Sequence, residues 1–219
     1  MLPSDAMNTC TCPLCGATDT QEFYQDVRDG VYFSCAICRL VFLAPNRHPD
    51  LQREYERYCL HRNTIEDTGY CRHLNRLLDI LVPLLPAGAV GLDYGCGPQP
   101  ILAQLLARHG FRVAGYDPFF QPDTAPLNGV YDFITCTEVI EHFRRPGEEF
   151  ARLAGMLKPG GMLGLLTEWL EDGQNFRTWH YRRDFTHLCF YRRETMEWIA
   201  ARHSWRTVHL AGGVAIFSR

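Results

Sequence analysis

No stretch of this chain stays apolar for the roughly 18 residues that a bilayer-spanning helix needs, so none is expected. Basic charge is not in excess either: 22 Lys and Arg stand against 25 Asp and Glu, a net charge of −3. No global positive field therefore exists to hold a polyanion, which argues against a nucleic-acid partner. The basic pairs Arg144-Arg145, Arg182-Arg183 and Arg192-Arg193 are interleaved with acids, the pattern of a solvated face. Met1 to Asn8 lacks a basic region followed by an apolar run, so no export leader is expected. Without one, ten cysteines read as thiols and metal ligands rather than disulfides, and the cytoplasm is the expected compartment.

Among the features present, Gly91-Leu92-Asp93-Tyr94-Gly95-Cys96-Gly97-Pro98 is the most informative. An apolar run, Ala89 to Leu92, ends in Asp93 and enters two glycines spaced for a tight turn, and the helical stretch Ile101 to Ala107 follows. Strand, glycine turn and helix in this order let a small molecule approach the backbone at the carboxyl edge of a parallel sheet. Asp117 ends a second apolar run, Phe111 to Tyr116, where it can hydrogen-bond a ribose diol. A dinucleotide fingerprint would need a third glycine where Pro100 stands, so a pyrophosphate is a poor fit.

The stretch resembles motif I of the class I S-adenosylmethionine-dependent methyltransferases, D-x-G-C-G. The resemblance continues through Tyr116-Asp117, through Tyr131 to His142 as the fourth-strand motif, and through Leu157-Lys158-Pro159-Gly160-Gly161 before strand five. It covers residues 86 to 219. It implies an α/β, Rossmann-like sheet with S-adenosylmethionine as cofactor: Asp93, Gly95 and Gly97 at the methionine end, Asp117 on the ribose, and Thr137 and Glu138 flooring the site. Two departures matter. Only Pro118 to Tyr131 separates the second motif from the next strand, too little for the roughly 30 residues of a helix and a third strand. The expectation is a sheet trimmed to about six strands, with Pro118, Phe119 and Phe120 beside the cofactor and the two rings either replacing part of the adenine wall or packing under the loop. Gln99 stands where motif I often has another glycine.

Ahead of this domain, Cys12-Pro13-Leu14-Cys15 and Cys35-Ala36-Ile37-Cys38 form C-x₂-C…C-x₂-C, the spacing of a structural zinc site. Strands are expected over Glu22 to Gln25 and Val31 to Ser34 about an Arg28-Asp29-Gly30 turn, with Val41-Phe42-Leu43 continuing the ribbon. Four thiolates close a tetrahedron and leave no open position, so the metal should fold the ribbon and not perform chemistry. The alternative is four unrelated buried cysteines. The expected boundaries are a zinc ribbon over 1-44, a helical linker and cofactor lid over 45-85, and the methyltransferase domain over 86-219. In the linker, Leu51 to Leu60 carries Tyr55 and Tyr58 and is followed by His61, and Tyr70 to Leu85 has apolar residues at helical spacing.

After strand five, Glu168 to Tyr191 reads as a long irregular insert and the best candidate for substrate-specific chemistry. His187, near Asp184 and Thr186, is either a base whose tautomer a neighbour fixes or a hydrogen-bonded structural histidine. Ribbon, tyrosine-bearing helix and a terminal H-x-x-F-Y look like a shortened relative of the zinc-binding sugar C-methyltransferases. That resemblance implies His187 as base, with Tyr55 and Tyr58 nearby; Thr186 stands where that family has an acid, leaving Asp184 further back. Glu141-His142 reads as a helix-start and packing element. The leading expectation is methyl transfer to a small-molecule acceptor. The alternatives are an RNA methyltransferase whose ribbon grips a loop, and a cofactor-binding protein without chemistry. Asp19, Glu22, Asp26 and Asp29 in the ribbon argue against the first, and the polar, aromatic-rich insert against the second.

Overall fold

A six-stranded sheet in the order β5-β4-β6-β7-β10-β9 forms the larger part of the molecule. The computed structural model describes residues 10–27 and 30–219. The expected turn residues Arg28 and Asp29 lie outside the described residues. Strands β4 (Val90–Tyr94), β5 (Arg112–Tyr116), β6 (Tyr131–Thr137) and β7 (Leu157–Leu166) are parallel, while β10 (Val214–Ser218) runs antiparallel to both β7 and β9 (Arg206–Ala211). The trimmed sheet is found. Between β5 and β6 there is only a tight turn, closed by reciprocal bonds between Asp117 and Gln121, and one 3-10 turn over Ala125–Asn128. With no further strand beyond it, β5 becomes the edge of the sheet.

The helices follow their apolar spacing. Helix α2 (Thr68–Leu81) buries Leu74, Leu77, Leu78 and Leu81, the i, i+3, i+4, i+7 stripe, and Asp67 caps it by accepting the Tyr70 amide at 2.9 Å. Asp50 caps α1 (Leu51–Tyr58) in the same way. Helix α3 (Ile101–Arg108) buries Ile101, Leu102, Leu105 and Leu106 and packs on β5. Helices α4 (Pro146–Met156) and α5 (Arg193–Arg202) complete the covering layers. Lys158 to Gly161 does not precede β7 as a separate turn. It bulges out within the strand, Tyr131 facing Leu157 and Phe133 facing Met162, and it is held by Gly160 and Gly161 bonding to Arg219.

The second sheet is antiparallel, β1 (Thr20–Asp26), β2 (Gly30–Cys35), β3 (Val41–Leu43) and β8 (Cys189–Phe190). The first three are the expected ribbon strands. The fourth comes from the insert expected to be irregular. Two residues are too short to give a periodic signal; their pairing with Val41 and Phe42 exists only because the chain returns to that edge. The ribbon also abuts α4, where a Cβ on Gly147 would come within 2.5 Å of the Leu14 carbonyl oxygen.

Candidate active site

The glycine turn after β4 needs its glycines. Gly95 and Gly97 have φ of 82° and 67°, and a Cβ on Gly95 would stand 2.4 Å from a methyl of Val139. Amides of Gly95 and Cys96 bond the Tyr116 carbonyl, and the Gly97 amide donates to Asp117 Oδ2 at 3.0 Å. Asp117 Oδ1 accepts the amides of Phe119 and Phe120 at 2.9 and 3.1 Å. The carboxylate therefore ties the two loops together. Oδ2 takes one protein donor and keeps a lone pair for a further one, the capacity needed to hold a ribose hydroxyl.

These loops form one wall of a cavity of about 680 Å³, within the range of small-molecule sites. Asp93, Gly95, Gly97, Asp117, Pro118, Phe119, Thr137 and Glu138 all line it, as do Tyr58, Asp184 and His187. Residues read from separate segments thus meet around one space. Helix α1 lies across it: Tyr55 sits over Phe119 and Phe120 with ring centroids 6.1 and 5.7 Å apart, and Tyr58 meets Phe119 at 5.5 Å. The rings of Phe119 and Phe120 border the cavity rather than packing beneath the loop. His61 also lines the cavity and is bonded to Arg57.

Asp93 is 2% exposed and accepts the Thr135 hydroxyl at 3.0 Å. Burial, with Asp117 nearby, pushes its carboxyl up to about 7. Between its ordinary value and that point the native state holds a proton that the unfolded chain has lost. Its stabilising contribution is therefore complete below about pH 4 and is lost as pH rises through 7. Asp93→Asn keeps an acceptor for Thr135 and should remove this slope. Urea titrations should show the variant gaining on the parent by up to about 3 kcal/mol between pH 4.5 and 7.5. An unchanged difference at the two pH values would show that Asp93 is not the group responsible.

The wall opposite the glycine turn is a chain of rings. Tyr58 meets His142 at 5.2 Å between centroids, His142 meets His187 at 4.8 Å, and His187 meets Tyr181 at 4.1 Å. His142 Nδ1 donates to the Thr186 carbonyl at 2.9 Å, which leaves its Nε2 with a lone pair. Burial, with His187 beside it, pulls the His142 imidazole down to about 3. His187 is 9% exposed, its Nδ1 has no hydrogen-bond partner among the described residues, and burial lowers its pKa. The expected tautomer-fixing contact from Asp184 is not made. The Asp184 carboxylate instead takes Arg57 at 2.6 Å and the Thr186 hydroxyl at 2.7 Å, pinning α1 to the insert.

Glu138 and Glu141 share this side. Glu138 has φ of 53°, a left-handed conformation rare outside glycine, at the carboxyl end of β6. It pairs with His73 at 3.0 Å, and its Oε2 lies 3.1 Å from the Tyr181 hydroxyl oxygen. Glu141 is fully buried and accepts Tyr181 at 2.6 Å and Thr167 at 3.0 Å; burial and Glu138 push its carboxyl well up. Glu141 and His142, expected as a helix-start and packing pair, lie beside His187, and His142 lines the cavity.

A second cluster is formed by Cys12, Cys15, Cys35 and Cys38, whose sulfurs all lie within 4.8 Å of one another. Cys12–Cys38 and Cys15–Cys35 are each 3.5 Å apart. Four sulfurs about 2.3 Å from a shared ion would stand roughly 3.8 Å apart, so the set fits a tetrahedral metal. Each knuckle ends in a left-handed residue, Gly16 and, unforeseen, Arg39 at φ 63°.

The family description that matches is a methyltransferase domain, over residues 61–210. The chain belongs to that family. Ubiquinone biosynthesis O-methyltransferase of Escherichia coli O127:H6 is 33% identical over an alignment covering 32% of this chain and 39% of that one. The same-named protein of Shewanella pealeana is 34% identical over the same shares. The match thus spans about two fifths of those relatives. Among solved structures, a candidate sarcosine dimethylglycine methyltransferase from Galdieria sulphuraria superposes with a TM-score of 0.52 at 17% identity, covering 72% of this chain and 74% of that one. A candidate methyltransferase from Bacillus halodurans C-125 gives 0.50 at 18% identity, over 62% and 67%. These two agree with the methyltransferase domain in fold. The family match begins at His61, so the ribbon and α1 stand outside it. Among the described residues no helix is long and apolar enough to cross a membrane.

Proposed function

We propose that this methyltransferase domain transfers the methyl group of S-adenosylmethionine to a small-molecule acceptor, with His187 on the acceptor side and a structural zinc in the ribbon. The single observation carrying this is the cavity that has the Gly95–Asp117 loops on one wall and the Tyr58–His142–His187 rings on the other. When bound, the donor supplies a sulfonium with an activated methyl group. The chain's own work is to bind, orient and deprotonate. Gly95 and Gly97 give backbone access to the methionine part, beside the start of α3, whose dipole favours a carboxylate. Asp117 takes the ribose, Phe119 and Phe120 wall the adenine, and Thr137 and Glu138 floor the site. His187, which lines the cavity beside His142, governs removal of the acceptor's proton. Tyr58 closes the space from α1, and Asp184 holds that helix in place through Arg57.

A small acceptor is supported by the cavity's size, by the net charge of −3, and by the named role of the partial relatives in ubiquinone biosynthesis. The test is formation of S-adenosylhomocysteine from the donor with a small-molecule extract fraction against an RNA fraction. Stimulation by RNA alone would overturn the acceptor class. Asp117→Ala should weaken S-adenosylhomocysteine binding by about 1–3 kcal/mol, since it removes a charge-assisted bond and unties both loops. Calorimetry with unchanged affinity would remove Asp117 from the site.

A further inference from the structure

The three side chains Glu141, His142 and His187 offer one ligand atom each, and these lie within 4.8 Å of one another. The geometry at their centre is unusual for protein groups alone. His142 Nε2 carries a lone pair, because Nδ1 is committed to the Thr186 carbonyl, yet it faces Glu141 Oε1 at 3.9 Å. A cation between them would draw on the free lone pair of His142 Nε2 and on the Glu141 carboxylate, in exchange for the proton that burial otherwise favours there. Ligands each about 2.1 Å from a shared ion stand roughly 3–4 Å apart, a range that includes the 3.9 Å between Glu141 and His142. A ring N–H given to a backbone carbonyl is also how metal-bound histidines are commonly oriented. The third member, His187, is 9% exposed, and its buried Nδ1 has no hydrogen-bond partner among the described residues.

Both histidines line the cavity, so an ion at this place would keep a face open to whatever enters. Two imidazoles and one carboxylate suit a divalent first-row transition ion, which accepts nitrogen as well as oxygen, better than magnesium or calcium. We propose that Glu141, His142 and His187 hold a divalent cation of the manganese, cobalt or zinc kind, and that it binds the oxygen of a hydroxyl-bearing acceptor. This rests on the methyltransferase reading and gives His187 its way of working, as a ligand of the ion rather than a free base. Coordination makes the hydroxyl acidic. Its proton leaves to solvent, the oxygen forms a bond to the methyl carbon, and the carbon–sulfur bond breaks to leave the neutral thioether. The acceptor class is then an oxygen nucleophile, not a carbon or an amine. The site is separate from the ribbon, whose four thiolates favour zinc and bind manganese poorly.

The experiment is titration of the full-length protein with Mn²⁺, followed by loss of the free-ion electron paramagnetic resonance signal, with S-adenosylhomocysteine calorimetry on the same samples. Saturable uptake of about one ion per chain is expected, weakened tenfold or more in both Glu141→Gln and His142→Ala while S-adenosylhomocysteine binding persists. Turnover should fall after chelation and return with Mn²⁺. Wild-type protein that takes up no Mn²⁺ but binds S-adenosylhomocysteine would overturn the cation and leave the methyltransferase reading standing. Uptake unchanged in both variants would overturn its location. Uptake of Mn²⁺ without S-adenosylhomocysteine binding would remove the methyltransferase reading, and with it the ion's role toward the acceptor.

Discussion

His187→Ala lowers turnover by about 10²–10⁴-fold, the span usual for a positioned group that governs proton removal, and leaves S-adenosylhomocysteine affinity within a few-fold of the parent. The split follows from placement. The donor-side groups stand on the loops after β4 and β5, whereas His187 stands on the insert, behind Tyr58 and beside His142. Removing the imidazole also leaves a hole between His142 and Tyr181, so thermal stability should fall by about 1–3 kcal/mol as well. His187→Asn separates the two effects, because it fills part of the hole without restoring a basic nitrogen. Single-turnover rates on the identified acceptor, read together with calorimetry, decide the matter. Near-normal turnover in both variants returns His187 to a structural residue.

Cys35→Ser is expected to do more than release a metal. A structural zinc contributes an apparent 10–16 kcal/mol to small zinc domains, so losing one ligand should cost the ribbon its fold. The consequence travels because β8 belongs to the ribbon's sheet. Leu43 bonds the Leu188 carbonyl at 2.9 Å, and Leu188 bonds the Glu141 carbonyl at 2.8 Å, one residue from His187. Unfolding β1 to β3 takes away the edge on which that segment rests. The outcome expected is zinc content falling from about one per chain to near zero and turnover falling by roughly tenfold or more. S-adenosylhomocysteine binding should survive, since β4 and β5 pair with no ribbon strand. Elemental analysis, calorimetry and turnover on one preparation check all three. Metal-free protein with full turnover would sever the ribbon from the site.

Much of the donor side was legible because its signals are local. A strand that ends in an acid and turns on Gly95 and Gly97 needs those residues for backbone reasons, since both have positive φ and Gly95 also has Val139 close by. The loss of a βα unit after Asp117 was a matter of chain length, and two C-x₂-C pairs carry their own geometry.

The acceptor side was only partly legible. His187 could be singled out by its aromatic neighbours in sequence, but its partners could not. Arg57 and Asp184 are 127 residues apart and meet because α1 crosses the cavity mouth. Glu141 and His142 read as packing, since nothing local says that Tyr181, Thr167 and His187 will close around them. The left-handed Glu138 and Arg39, at residues that rarely adopt that conformation, likewise depend on surroundings that hold them there. The sequence by itself determined the parallel sheet, its missing strand, the glycine turn with its acid, and the four-cysteine ribbon, because turn chemistry, periodicity and length act within a few residues. Only the tertiary structure decided that the ribbon shares a sheet with the insert and that a carboxylate and two imidazoles converge beside the cavity, because such contacts are fixed by which distant segments the folded core brings together.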